Sequence, residues 1–159
     1  MHRVNSILQN EKFKECLRKN YEYEINREFC HHDMQHFLDV ARIAYIQVLE
    51  NKLEIEKDIV YATGLLHDIG RWLQYETGVS HEKAGAEFAQ EILIECGYEK
   101  QEVERIVKAI GNHRKKDNSN DSLSQIIYSS DKISRSCFNC KAYKDCKWSD
   151  EKKNNTIKY

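Results

Sequence analysis

Apolar residues recur at helical spacing through most of the chain. The segment 33–51 is the clearest example, with inward positions at Met34, Phe37, Leu38, Ala41, Ala44, Tyr45, Val48 and Leu49. The same periodicity predicts about six helices, over residues 10–24, 33–51, 56–69, 81–96, 99–113 and 121–135. The third of them is apolar on most sides, which predicts a central, buried helix.

The segments between and after these helices are polar. Residues 71–79, which include Gly78, are predicted to form a loop. Residues 114–120 are predicted to form another, and the basic end of the chain is expected to be frayed. The division of the chain that follows is a helical domain over 1–135 and a cysteine-containing basic tail over 136–159.

Composition supports an all-helical single domain. The chain has 159 residues, no proline and six glycines, so helix-breaking residues are scarce. An apolar fraction of 40% is enough for one sizeable core. No pairs of strands joined by hairpin turns are recognisable. The predicted fold class is therefore an all-α bundle.

Charge narrows the function classes. The net charge is -1, which argues against a generally basic nucleic-acid binder. Residues 132–159 hold eight Lys and Arg against three acids, which indicates either a solvated end or a patch that attracts phosphates. No apolar stretch approaches ~20 residues, and the N-terminus lacks the apolar core of a signal peptide, so we expect a cytoplasmic protein without membrane contact.

Several ionisable residues fall on the apolar faces of the predicted helices. The central apolar run ends in His67-Asp68, and a carboxylate in such surroundings needs a partner or a cation. An inward histidine alone is usually a hydrogen-bonded core residue and an aspartate alone is usually a cap, readings that suit His2, His31 and His32. A dry core, however, cannot easily satisfy so many inward polar groups, whereas a metal satisfies several at once. The further inward candidates are His36, His81, His113 and Asp131.

The order and separation of these residues resemble the HD superfamily of metal-dependent phosphohydrolases. The resemblance covers about residues 30–135. It is carried by five motifs, at residues 36–41 (HFLDVA), 66–71 (LHDIGR), 80–86 (SHEKAGA), 109–114 (AIGNHR) and 128–133 (YSSDKI). It implies an HD-domain helical bundle and a hydrolase whose metal-bound hydroxide attacks phosphorus.

The resemblance also implies a ligand set. His36, His67, Asp68 and Asp131 would hold a first divalent transition metal, and His81 and His113 would hold a second that Asp68 bridges. A histidine-rich set suits Mn, Fe, Ni, Co or Zn.

Asp68 and His113 are also candidate catalytic residues, since His113 without metal could protonate the leaving oxygen. Arg71, Lys132 and Arg114 follow ligands closely in the sequence, and they either hold the phosphate or are ordinary surface charges.

The expected substrate is a small phosphorylated compound, a nucleotide or a related phosphoester or phosphoanhydride. The resemblance is nearest to the dinucleoside polyphosphate hydrolases with two metals. Trp72 and Tyr75 either stack on a base or belong to the core. One alternative is a metal-containing, nucleotide-binding regulatory module with little hydrolytic activity, and another is an RNA-associated protein that uses the basic tail.

The tail carries a second candidate metal site. Cys137, Cys140 and Cys146 resemble half of a zinc knuckle or an iron–sulfur segment. Reduced thiols that only pack, or that sense oxidants, are the alternatives. A structural zinc needs four ligands, and the fourth would come from Cys16, Cys30 or Cys96.

Overall fold

The computed structural model describes residues 1–114 and 121–159. Within these ranges the chain is helical and contains no strand, which confirms the predicted all-α fold class. The helices are α1 (His2–Gln9), α2 (Glu11–Glu24), α3 (Met34–Glu50), α4 (Lys57–Leu66), α5 (Arg71–Thr77), α6 (His81–Glu95), α7 (Lys100–Asn112) and α8 (Ser122–Ile133), followed by a 3-10 turn at Cys137–Asn139. Most of the loop predicted over 114–120 lies outside the described residues.

Two of the helices were not predicted from periodicity. The loop prediction for 71–79 is wrong, because residues 71–77 form α5. A helix of seven residues is marginal by itself and depends on tertiary contacts. Here the backbone N–H of Trp72 donates to Oδ1 of Asn20 at 2.7 Å, and the Trp72 ring stacks on Phe88 with centroids 5.8 Å apart.

Helix α1 is the other addition, and it is equally dependent on packing. Its buried residues are Val4 and Ile7, too few for a recognisable stripe. The guanidinium of Arg3, on the same helix, contacts the carboxylates of Asp58 and Glu102, each at 2.5 Å. These long-range ion pairs place α1 across the start of α4 and of α7.

The central helix is shorter than predicted. It ends at Leu66 rather than near 69, and His67 and Asp68 lie in the turn that follows. The backbone N–H of Ile69 donates to the carbonyl of Leu66 at 3.2 Å, and that of Arg71 to the carbonyl of Asp68 at 3.0 Å. Both are bonds between residues i and i+3, and they redirect the chain into α5.

Two glycines allow the close approaches that assemble the bundle. A Cβ atom at Gly64 would lie 2.7 Å from Cα of Ala41, so α3 and α4 cross nearly backbone to backbone. A Cβ atom at Gly70 would lie 2.8 Å from the carbonyl oxygen of His81 and 2.9 Å from the carbonyl carbon of Ala84. The turn after α4 therefore presses directly on the start of α6.

The C-terminal segment is folded against α8 rather than frayed. The side-chain amide of Asn154 donates to the carbonyls of Lys132 at 2.7 Å and of Arg135 at 2.9 Å. The backbone carbonyl of Asn154 accepts the backbone N–H of Phe138 at 3.1 Å. The boundary between a domain over 1–135 and a tail over 136–159 stays a prediction. None of the helices in the described ranges has the length and apolarity needed to cross a bilayer.

Candidate metal centre

Helix ends supply the side chains of the candidate site. His36 lies in the first turn of α3, which the carboxylate of Asp33 caps by accepting the N–H of His36 at 2.9 Å. His67 and His113 follow the last residues of α4 and α7. His81 begins α6, and Asp131 lies in the last turn of α8. Five helices therefore deliver these residues to one interior.

The first group of ligand atoms comprises His36, His67, Asp68 and Asp131, all within 4.8 Å of one another. Nε2 of His36 lies 3.5 Å from Oδ1 of Asp131 and 3.9 Å from Oδ2 of Asp68. Nε2 of His67 lies 3.4 Å from the same Oδ2. The side chain of His36 is 10% exposed and those of the other three at most 4%, so access to this group is from the His36 side.

The second group comprises Asp68, His81 and His113. Oδ1 of Asp68 lies 3.0 Å from Nε2 of His81 and 3.3 Å from Nε2 of His113. The two Nε2 atoms are 3.2 Å apart. Asp68 therefore faces both groups, one oxygen to each, as a bridging carboxylate would.

Hydrogen bonds on the outer sides of the rings determine which nitrogens face inward. Nδ1 of His67 lies 2.8 Å from the carbonyl of Gly64, and Nδ1 of His113 lies 2.6 Å from that of Ile110. Nδ1 of His81 lies 2.5 Å from Oε1 of Gln74. Since oxygen acceptors require Nδ1–H, the Nε2 atoms of these rings are the ones directed into the site.

Three of the atoms that face the interior lack hydrogen-bond partners. Nε2 of His36, Nε2 of His67 and Oδ1 of Asp68 are buried and unsatisfied. Buried polar atoms normally have a partner, and leaving them without one costs about 1–3 kcal/mol each. A cation in the first group would satisfy the two imidazole nitrogens and one in the second group would satisfy Oδ1 of Asp68, so the residues present fit the metal expected from the sequence.

The charge state of the site is also suited to a cation. Burial opposes ionisation of Asp68, but His67 and His32 hold its pKa well below the ordinary value. Burial, reinforced by His67, lowers the pKa of His36 to about 3, so that ring is neutral at pH 7. Burial lowers the pKa of His67 too, but Asp68 more than offsets it, so a metal ion would displace a proton there.

Arg135 belongs to the site although the sequence analysis did not select it. Its Nη2 atom donates to Oδ1 of Asp131 at 3.0 Å, while Lys132 pairs with the other carboxylate oxygen. Burial would raise the pKa of Asp131, but Arg135 and Lys132 lower it far below the ordinary value. The available signal was the spacing of four residues between an acid and a base on one helix.

His32 is a second residue that the sequence analysis did not place in the site. It was expected to be an isolated core residue, but it also lies beside a candidate ligand. It is buried, and its Nε2 atom lies 3.6 Å from Oδ2 of Asp68. Its ring also contacts His36 edge to face, with centroids 5.5 Å apart. The spacing of four residues from His36 was the only local signal, because the acid that orients His32 is the more distant Glu24.

The other candidate residues divide between the site and its surroundings. Nη1 of Arg71 lies 2.8 Å from Nδ1 of His81 and 3.3 Å from its Nε2, and Lys132 reaches Asp131, so both lie beside ligands. Arg114 is half-exposed and pairs with Glu82 at 3.4 Å. Trp72 is buried and stacked on Phe88, which excludes it from base stacking. Tyr75 donates its hydroxyl to Glu24 at 2.6 Å.

The tail cysteines do not form a closed ligand group by themselves. Among the described residues, every group of three potential ligands within 4.8 Å of one another consists of histidine and aspartate. The thiols of Cys137, Cys140 and Cys146 instead border a pocket of about 290 Å³. Cys30 borders the same pocket, whereas Cys16 and Cys96 do not.

Comparisons with known proteins agree with this geometry. The family model of the HD domain matches residues 33–136. An uncharacterized protein of Clostridium beijerinckii is 45% identical over 159 residues, all of both chains. Ribonuclease Y of Acetivibrio thermocellus is 28% identical over 101 residues, which are 64% of this chain and 17% of that enzyme.

A solved structure shares the fold. The crystal structure of a predicted HD superfamily hydrolase from an uncultured Thermotogales bacterium superimposes with a TM-score of 0.66. The match covers 90% of this chain and 79% of the other, at 23% sequence identity. The family model covers well over half of the sequence, and its span contains the helix ends that carry both groups of ligand atoms. This chain belongs to the HD-domain family.

Proposed function

We propose that this protein is a metal-dependent phosphohydrolase that acts on a small phosphorylated substrate, a nucleotide or a related phosphoester or phosphoanhydride. The observation that carries the proposal is the pair of ligand groups that share Asp68, with unsatisfied buried atoms directed into them. Structural ion pairs leave no such atoms, because they satisfy one another.

In this proposal one divalent ion is held by His36, His67, Asp68 and Asp131, and a second by Asp68, His81 and His113. Imidazole and carboxylate together suit Mn, Fe, Co, Ni or Zn. When bound, such ions acidify water and withdraw charge from phosphate oxygens.

The remaining side chains hold the site in position and supply positive charge. Arg135 and Lys132 keep Asp131 ionised, so its oxygens stay available for a cation. Lys132 retains 35% exposure and lies at the accessible side of the first group, where its ammonium can contact a phosphate oxygen. Arg71 has an unsatisfied buried Nε–H beside His81, which places a second donor near the second group.

His113 has a defined proton-holding atom. Its Nδ1–H is occupied by the carbonyl of Ile110, so only Nε2 can exchange a proton with the site. If the second group holds no metal, Nε2 of His113 is the atom positioned to take up a proton and pass it to a leaving oxygen. With metal bound at Nε2, His113 cannot serve as the proton donor.

The substrate class rests on family membership and on the relatives. The HD domain and the solved relative named as a hydrolase support phosphate-ester chemistry. The dinucleoside polyphosphate branch is supported by the second ligand group around His81 and His113. A cytoplasmic location and the absence of membrane and nucleic-acid partners are part of the same proposal.

The test compares Asp68→Ala with Asp39→Ala, which removes an acid from the accessible face of the same helix that carries His36. Hydrolysis products are separated and quantified by chromatography after incubation with Mn²⁺ and nucleoside monophosphates, triphosphates, cyclic nucleotides or dinucleoside polyphosphates, and bound metal is measured in parallel. We expect Asp68→Ala to lose more than ~100-fold in activity together with its metal, since loss of a direct ligand should exceed the effect of an outer partner. Asp39→Ala should retain both.

Two outcomes would contradict the proposal. Turnover that survives Asp68→Ala would show that hydrolysis occurs elsewhere. Metal and nucleotide binding by the unsubstituted protein without turnover on any compound of the panel would instead indicate the regulatory module.

A further inference from the structure

Four of the six cysteines border one pocket, although they come from opposite ends of the chain. Cys30 lies in the connection between α2 and α3, and Cys137, Cys140 and Cys146 lie in the C-terminal segment. All four are free thiols. Cys16 is buried in α2, and Cys96 follows α6. Four cysteines therefore lie around one pocket, where they could bind the same ligand, and the other two lie elsewhere.

The local backbone presents two of these thiols as a C-x2-C turn does in thiolate metal sites. Residues 137–139 form a 3-10 turn, in which the N–H of Cys140 donates to the carbonyl of Cys137 at 3.1 Å. The next turn repeats the pattern, since the N–H of Tyr143 donates to the carbonyl of Cys140 at 3.2 Å. Tight turns of this kind bring cysteines three residues apart to one side of the chain.

Cys30 is also held in place. Nε of Arg27 donates to its carbonyl at 2.9 Å. Arg135 and Lys153 border the same pocket.

The C-terminal segment lacks the hydrophobic burial that would otherwise explain its order. Among residues 136–159 the buried apolar side chains are only those of Cys137 and Ala142, beside the Lys153 side chain, which is 6% exposed and lies over the Tyr143 ring. Ordering a residue costs about 1–2 kcal/mol of backbone entropy, which two small buried side chains cannot offset over such a length. Small segments with this deficit are usually held by disulfides or by a structural metal.

We propose that Cys30, Cys137, Cys140 and Cys146 together bind a thiophilic metal centre, either a zinc ion or an iron–sulfur cluster. The four cysteines line the pocket of about 290 Å³, and their sulfur atoms are not among the ligand groups that lie within 4.8 Å of one another. Metal binding would require rotation about the Cα–Cβ bonds to bring the sulfur atoms together.

The centre would join the C-terminal segment to the connection before α3, beside His36. His36 borders the same pocket, so this junction forms a wall at the accessible side of the first ligand group. The proposal is independent of hydrolysis, because neither the thiols nor their backbone contacts belong to the histidine–aspartate groups.

The test measures zinc, iron and acid-labile sulfide per chain in the full-length protein purified without oxygen. The Asp68→Ala background removes the ions of the histidine–aspartate groups, so any remaining metal is assigned to the thiols. We expect roughly one zinc per chain, or iron with sulfide, in Asp68→Ala. Adding Cys30→Ser or Cys146→Ser should remove it, whereas Cys96→Ser, away from the pocket, should not.

A spectroscopic measurement needs no cysteine variant and so does not depend on their folding. Cobalt added to the zinc-depleted protein should produce the near-ultraviolet charge-transfer band of thiolate ligands, which histidine and carboxylate do not produce. A mercurial that blocks thiols should abolish the band and release bound metal. Absence of both the band and residual metal, or metal that persists in Cys30→Ser, would overturn the proposal.

Discussion

The buried carboxylate of Glu24 holds the imidazole of His32 through two contacts. Oε1 of Glu24 lies 2.6 Å from Nδ1 of the ring, and Oε2 accepts the backbone N–H of His32 at 2.6 Å. With Nδ1 engaged in this way, Nε2 is directed towards Asp68. Glu24 therefore orients a residue that lies directly behind the shared carboxylate of both ligand groups.

The first prediction concerns metal affinity. Glu24→Gln replaces the charged acceptor of His32 by a neutral one, which weakens the support behind Asp68. We expect metal affinity to fall about 10–100-fold, as is typical when an outer partner of a ligand is lost. Titration with Mn²⁺ would measure it. Glu22→Gln on the same helix removes only an exposed pair with Arg18 and should leave affinity unchanged. Equal affinities in the two variants would refute this role of Glu24.

The second prediction concerns stability in acid. Burial opposes ionisation of Glu24, but its hydrogen bond and charge interaction with His32 lower its pKa from 4.5 to about 2. A folded-state pKa below the unfolded value stabilises the protein above pH 4.5, and this contribution is lost as pH falls towards 2. At neutral pH it amounts to at most about 3 kcal/mol.

The measurement is the free energy of unfolding of the unsubstituted protein and of Glu24→Gln at several pH values. The difference between them should be largest above pH 4.5 and should shrink towards pH 2. A difference that stays constant over this range would show that the ionised carboxylate is not its source.

The third prediction concerns the contact between the turn after α4 and the start of α6. In Gly70→Ala the new methyl group meets the backbone of His81 and Ala84, which cannot move aside as a flexible side chain would. We expect a loss of stability of about 1–3 kcal/mol, the usual cost of overpacking. Metal binding at the second group should weaken as well, since His81 is displaced.

Gly111→Ala is the matched control, because nothing lies within 4 Å of a Cβ atom there. This helical position should gain roughly 0.5–1 kcal/mol from the replacement. Thermal unfolding of both variants gives the comparison. If the two substitutions shift the unfolding temperature in the same direction, the close backbone approach at Gly70 does not exclude a larger side chain there.

The fourth prediction concerns the positive charge that neutralises Asp131. Arg135→Gln leaves that buried carboxylate with Lys132 as its remaining charged partner. Stability without metal should fall, by less than the ~3–5 kcal/mol that loss of a complete buried pair costs. A bound cation replaces the missing charge, so Mn²⁺ should raise the unfolding temperature more in this variant than in the unsubstituted protein.

Arg105→Gln controls for the loss of a surface arginine, since that residue faces Glu56 at 3.7 Å on the exposed side of α7. Its response to Mn²⁺ should match that of the unsubstituted protein. An equal response in Arg135→Gln would mean that this arginine does not balance the charge of Asp131.

Local patterns were sufficient for the long helices and for the candidate ligands. The stripe along α3 and the apolar run of α4 are set by neighbours three and four residues apart, which a sequence displays directly. His36, His67, His81, His113 and Asp131 could be selected because each continues such a stripe or interrupts it. The structure brings them together, and their roles as metal ligands stay predictions.

Contacts between distant segments decided the rest. Helix α5 is too short to form on propensity and depends on Asn20 and Phe88, which lie far from it in sequence. His32 gains its orientation from Glu24, and Cys30 borders the same pocket as the tail cysteines only because the C-terminal segment folds back onto the connection before α3. The sequence by itself determined the six longer helices and which of their side chains face inward, because both depend on local periodicity. Only the tertiary structure decided which buried groups meet, because that depends on how the helices pack.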